Sequence, residues 1–137
     1  MGERFSVEPY WKTSDRYDHR NVEGKVRDGF LVTDTLTRDS RRVARKRDAA
    51  QVIERVLARE AELDWTRIAC FEATEIRYGG ACAEVYGLDA QGNHVAMLCL
   101  IGGNHRDTLE TIGSQVRVWL TALGHGDLTA RVSSSRA

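Results

Sequence analysis

The alternation of apolar and polar positions predicts two strands in the first third of the chain. Phe5 and Val7 alternate with polar neighbours in the first strand, and GFLVTDTL (29–36) has the clearer alternation of the second. The segment KTSDRYDHRN (12–21) between them is rich in charges and turn-forming residues. The pattern therefore predicts an extended N-terminal region with a polar connection.

A stripe of apolar residues at helical spacing follows these strands. Its members are Ala49, Ile53, Val56, Leu57 and Ala61, while Arg55, Arg59 and Glu62 lie outside it. Asp48 and Gln51 stand three positions apart immediately before the stripe, which is the spacing of a capping box. The first helix is therefore expected to begin near Asp48.

Three more strands are predicted in the second half of the chain. They are WTRIACFEATEIRY (65–78), ACAEVYGL (81–88) and HVAMLCLI (94–101). Short glycine-containing turns separate them, so they are expected to form an antiparallel meander. The third strand is apolar on both faces, which predicts a central position in the sheet.

A second helix is predicted from about residue 105 to residue 123. Its apolar stripe is Leu109, Ile112, Val116, Trp119, Leu120 and Leu123. Asn104 is the expected N-cap residue and Gly124 the expected residue just beyond the C-terminal end. The tail from residue 128 to residue 137 is small and polar, which is typical of a flexible terminus.

The order of elements predicts an α+β fold. An antiparallel sheet, made of the N-terminal strands and the three-stranded meander, would carry both helices on one face. A chain of 137 residues with 42% hydrophobic residues is long enough for one core. We therefore expect a single domain over residues 1–127, followed by the flexible tail over 128–137.

The composition argues against covalent or metal-dependent stabilisation. Cys70, Cys82 and Cys99 are widely spaced, and the four histidines form no metal-binding pattern. No cofactor motif is present, and the longest apolar run is too short to cross a bilayer. These features predict a cytoplasmic protein without disulfides, metal, cofactor or membrane contact.

The charges balance overall but not locally. The chain has 20 basic and 20 acidic residues, yet RRVARKR (41–47) is almost entirely basic. We call the following six residues the basic cluster: Arg38, Arg41, Arg42, Arg45, Lys46 and Arg47. A neutral total charge argues against wide electrostatic wrapping of DNA, although a local contact with phosphates remains possible.

The structure of the basic cluster has two alternatives. A helix continued back to Thr37 would gather arginines on one ridge but would place Arg42 and Lys46 on the buried face. Unless those turns project as a free arm, the cluster should form a loop or an edge strand. Arg and Lys are common on edge strands, where they oppose aggregation, so a purely solvated role is the more frequent one for such a segment.

Two further groups are candidate sites. Tyr10, Trp11 and Tyr17 lie among basic residues and could form a protein interface or stack on bases. The segment GGNHRD (102–107) leads into the second helix, where Asn104, His105 and Asp107 could form an anion pocket.

The sequence favours a non-enzymatic protein, because it carries no recognisable arrangement of nucleophile, base and orienting group. We expect a small accessory protein that contacts nucleic-acid phosphates through the basic cluster without sequence specificity, and that forms homo-oligomers. The alternative is a protein-binding adaptor or inhibitor that uses a sheet edge and the N-terminal aromatic residues. A ligand-binding or catalytic pocket around residues 104–107 is the third hypothesis.

Overall fold

The computed structural model describes residues 3–13, 25–76, 81–103 and 109–131. The strands are β1 (Phe5–Thr13), β2 (Lys25–Asp34), β3 (Ser40–Val43), β4 (Cys70–Glu75), β5 (Ala81–Leu88), β6 (His94–Gly102) and β7 (Thr129–Ala130), and the helices are α1 (Ala49–Ala61) and α2 (Leu109–Ala122). The predicted α+β class is confirmed. The prediction of one sheet is wrong, because the strands form two sheets.

The N-terminal sheet is antiparallel and has the order β1-β2-β3. Val7 pairs with Val32, and on the other side of β2 Val32 pairs with Arg41. Gly29 has a φ of +86°, and a side chain there would overlap the carbonyl oxygen of Val43. Glycine is therefore required at the point where β2 and β3 approach each other most closely.

The C-terminal sheet has the order β6-β5-β4-β7. The predicted antiparallel meander of β4, β5 and β6 is confirmed. The short β7 pairs in parallel with β4, and the Arg131 N–H donates to the Phe71 carbonyl at 2.7 Å. The prediction that β6 is central is wrong, because β6 ends the row of strands.

The main core lies between α2 and the C-terminal sheet. Its fully buried members include Val85, Ile101, Ile112, Val116, Trp119 and Leu120. Each such aliphatic side chain contributes about 1.5–3 kcal/mol when it is removed from water. Just beyond the C-terminal end of α2, Gly124 has a φ of +88°, as predicted for the residue at that position. Packing of both helices on one face of a sheet stays a prediction.

The helix α1 begins where the sequence indicated, but for a different local reason. Asp48 is its N-cap residue, yet the Asp48 side chain makes no capping hydrogen bond, so the capping-box prediction is wrong. The Asp48 carboxylate instead lies 3.5 Å from Nε of Arg45. A 3₁₀ turn over Lys46–Asp48 precedes α1, and the extended backbone angles of Arg45, −129° and 146°, rule out a helix that continues further back into the basic cluster.

The strand β4 begins later than predicted. Residues Trp65–Arg67 form a single 3₁₀ turn, because the Asp64 side chain accepts hydrogen bonds from both the backbone N–H and the hydroxyl of Thr66. Such a side-chain turn competes with extended structure. Within the described parts of the chain, neither helix has both the length and the apolar character needed to cross a membrane.

Candidate functional site

The basic cluster occupies the edge of the N-terminal sheet and the loop after it. Arg38 lies in the turn before β3, and Arg41 and Arg42 lie in β3. Arg45 follows the strand, and Lys46 and Arg47 belong to the 3₁₀ turn Lys46–Asp48 that leads into α1. All six residues are exposed. The edge-strand alternative is thus observed for Arg41 and Arg42, whereas Lys46 and Arg47 belong to the helical segment that leads into α1.

The alternation of β3 divides its two arginines between opposite faces. Arg41 is paired with the buried Val32 and shares its face of the sheet, whereas Arg42 is paired with Leu31 on the other face. The closest carboxylates are those of Asp39, 3.9 Å from Arg41, and Asp28, 3.5 Å from Arg42. With about half of each arginine side chain exposed, such pairs are worth at most about 1 kcal/mol.

A shielded charge network lies behind the Arg41 face. Arg4 donates in bidentate fashion to Asp34 at 3.0 and 2.8 Å and to Glu60 at 2.8 and 2.5 Å. The indole N–H of Trp119 also donates to Glu60, at 2.8 Å. Hydrogen bonding to Glu60, then to Asp34, raises the pKa of Arg4 above its usual range despite opposing desolvation. The network therefore joins β2, α1 and α2 to the residue that precedes β1.

A cavity of about 170 Å³ opens beside this network. It lies between the N-terminal sheet, α1 and β6, and Asp34 and Glu60 are part of its wall. Its apolar lining includes Phe5, Val32, Val52, Val56, Leu98 and Leu100. Cys99 also faces it, and burial raises the pKa of the Cys99 thiol, with the nearby Glu60 adding to the effect. The Cys99 side chain is therefore a neutral, poorly nucleophilic part of the wall.

Three arginines line the same cavity. Arg41 comes from β3, and Arg55 and Arg59 stand one helical turn apart on α1. Among the residues that the structure describes, no carboxylate lies within ion-pair distance of Arg55 or Arg59. The sequence placed both residues outside the apolar stripe and gave them no role. Their four-residue spacing close to the basic cluster was the signal that could have identified them.

The other predicted sites are only partly covered by the structure. Tyr10 is half-buried in β1, and Trp11 beside it is 55% exposed, whereas Tyr17 lies outside the described residues. The proposed anion pocket, with Asn104, His105 and Asp107, lies outside them as well. Both assignments stay predictions.

Within residues 3–13, 25–76, 81–103 and 109–131, no group of three or more histidine, cysteine, aspartate or glutamate side chains could hold a metal ion. Charged side chains of the described residues lie close together at two places, the cavity and the edge of the N-terminal sheet. Comparison with known proteins gave no match to any family model, any curated protein or any solved structure.

Proposed function

We propose that the protein is a small, non-enzymatic accessory protein that binds nucleic acid through the basic cluster. The observation that carries this proposal is the exposure of all six cationic side chains along one sheet edge and its following loop. Exposed guanidinium and ammonium groups can bind phosphates without first breaking a buried ion pair.

The arrangement supports binding without sequence specificity. The cationic groups lie on a short strand, the residues that flank it and a 3₁₀ turn, where they can contact the charged backbone. Phosphate contacts carry no base information. The neutral total charge confines the attraction to this region, so we expect modest affinity and strong salt dependence. The three free thiols, Cys70, Cys82 and Cys99, support the cytoplasmic setting that we assign to this function.

The test is a titration of labelled single-stranded and duplex DNA and RNA at two salt concentrations. A variant with Arg42, Arg45 and Lys46 replaced by alanine should bind more weakly. Its salt dependence should also be shallower, by about 0.9 in the log–log slope for each duplex phosphate that the variant no longer neutralises. Arg41 stays unchanged in this variant because it also lines the cavity.

The matched control replaces Arg27, Arg67 and Arg131, three exposed arginines outside the basic cluster, and removes the same net charge. This control should retain the slope of the original protein. Absence of binding at low salt, or an equal loss in the control, would rule out the proposed interface.

A second candidate function is protein binding or self-association through β1. Trp11 is 55% exposed on this strand, and β1 forms the other edge of the N-terminal sheet. Exposed tryptophan and an open edge are both typical of interfaces. Light scattering should detect a homo-oligomer that Trp11→Ala weakens. A strictly monomeric protein at high concentration would exclude self-association.

A further inference from the structure

We infer that the cavity between β3, α1 and β6 binds a small monocarboxylate with a compact apolar body, such as an aromatic or short aliphatic acid. The cavity volume of about 170 Å³ sets the size of this ligand. An engineered cavity of about 150 Å³ accommodates benzene. Pockets for drug-sized ligands begin at about 300 Å³. One ring or a short chain therefore fits inside the cavity.

The charges in the cavity wall determine the charge of the ligand. Asp34 and Glu60 both accept two hydrogen bonds from Arg4, whose single positive charge balances one of their two negative charges. Asp39, with a largely buried side chain, lies 3.9 Å from Arg41.

The remaining cationic groups in the wall are Arg55 and Arg59. Counting Arg4, the described residues of the site supply four guanidinium groups and three carboxylates, an excess of one positive charge. A single carboxylate balances this excess, and its planar shape matches the bidentate geometry that guanidinium prefers.

The apolar wall determines the rest of the ligand. Val52 and Val56 of α1 face the cavity together with Leu98 of β6. The three consecutive residues 98–100 all line it, although successive side chains of a strand point to opposite faces. The cavity therefore meets the outer edge of β6, where no described strand pairs with it and its backbone groups can bind the polar end of a ligand.

This site does not depend on the proposed nucleic-acid interface. Arg55 and Arg59 are outside the basic cluster, and only Arg41 is common to both. Small acids could bind in the cavity whether or not phosphates bind at the sheet edge, so the two proposals can fail separately.

Calorimetric titration with benzoate and hexanoate tests the inference, with benzamide, hexanamide and acetate as comparison compounds. Benzoate or hexanoate should bind and raise the melting temperature, because a ligand that binds only the folded state stabilises it. The uncharged amides lack the carboxylate, and acetate lacks the apolar body. All three should bind at least tenfold more weakly.

Two variants connect this binding to the cavity. Arg55→Met and Arg59→Met keep the length of the side chain and remove its charge, and each should weaken carboxylate binding about tenfold or more. The exposed Arg67→Met is the matched control and should leave it unchanged. If a methionine variant does not fold, Arg55→Lys or Arg59→Lys keeps the charge but loses the bidentate geometry, and should still weaken binding.

Three results would overturn the inference. The first is absence of binding by either acid to the folded protein at millimolar concentration. The second is equal binding of acetate, which would indicate a surface ion contact. The third is an equal loss in Arg67→Met. Persistence of carboxylate binding in the variant of Arg42, Arg45 and Lys46 is expected, because those side chains do not line the cavity.

Discussion

At the residue scale, Arg4 is a largely buried cation that pairs with two carboxylates. The side chain of Arg4 is 20% exposed, and it donates hydrogen bonds to the carboxylates of Asp34 and Glu60, whose side chains are 7% and 13% exposed. Without Arg4, both Asp34 and Glu60 would remain shielded from water without their cation. Loss of one partner of a buried ion pair is more costly than the net contribution of the intact pair.

We predict that Arg4→Met lowers the free energy of unfolding by about 3–5 kcal/mol, the typical cost of leaving buried charges uncompensated. Urea denaturation would measure the change. Arg67→Met, at an exposed arginine, should change stability by less than about 0.5 kcal/mol. A similarly small effect of Arg4→Met would mean that water replaces the guanidinium at little cost.

Asp39 provides a prediction about pH. Burial raises the pKa of Asp39 above its ordinary value of 3.8, with the charge of Arg41 opposing the shift. The folded state therefore holds this proton more tightly than the unfolded state, so stability falls as the carboxyl ionises with rising pH. Asp39→Asn removes this penalty and should make the protein more stable at pH 7.

The stability difference between Asp39→Asn and the original protein should shrink as the pH falls through the folded pKa towards 3.8. Denaturation curves at several pH values would follow it. A difference that is independent of pH would show that the titration of Asp39 is not its cause.

The basic cluster is visible in the sequence as a run of neighbouring basic residues, whereas the contacts of the Arg4 network could not be predicted from it. Arg4 is separated from Glu60 by 56 positions, and Trp119 from Glu60 by 59. Such contacts depend on how the two sheets and the helices come together, and local spacing carries no information about that. The cavity was missed for the same reason, because its wall combines residues from distant segments.

At the element scale, α1 shows where periodicity succeeds and where it fails. The position of the helix was predicted, but Leu57 of the predicted stripe is 45% exposed, while Val52 and Val56 face the cavity. The side of α1 that lines the cavity also carries Glu60 and the exposed Arg55 and Arg59. The predicted stripe was right for the buried Ala49 and for Val56, but a search for apolar residues excludes these charged ones.

The two helices therefore respond differently to the same substitution. Leu120→Ala in α2 removes a fully buried side chain and should cost about 2–5 kcal/mol. Leu57→Ala in α1 removes a half-exposed one and should cost less than about 1 kcal/mol. Chemical denaturation of both variants would compare them, and equal costs would contradict the observed orientation of α1.

Strand order was harder to predict than strand position. The apolar sequence of β6 is typical of a central strand, yet β6 ends its sheet. Its residues are covered from outside the sheet, because Leu98, Cys99 and Leu100 face the cavity beside α1. Hydrophobicity reports how much a strand is covered, and it does not identify what covers it.

At the scale of the whole molecule, the two sheets are joined by polar contacts as well as by packing. The Gly102 N–H of β6 donates to the Thr37 carbonyl at 2.9 Å, in the turn before β3. The Gln115 side chain of α2 donates to the Leu36 carbonyl in the same turn. A side chain at position 102 would overlap the Arg38 carbonyl oxygen, so glycine allows this close approach.

We predict a single cooperative unfolding transition, since the Arg4 network and the turn contacts link both sheets to the helices. Tryptophan fluorescence and far-ultraviolet circular dichroism should give coincident denaturation curves. Leu120→Ala serves as the control, because it should shift both curves together. Two separate transitions would contradict the expected single domain over residues 1–127.

The placement of Arg41 and Arg42 on opposite faces of β3 also bears on how the protein can evolve. Adjacent residues contribute to two different surfaces. A substitution at position 41 can therefore change the cavity, and one at position 42 the outer surface, without altering the other. A shift of the β3 register by one residue would exchange the two faces. Lineages that keep both surfaces should therefore tolerate substitutions in β3 more readily than shifts of its register.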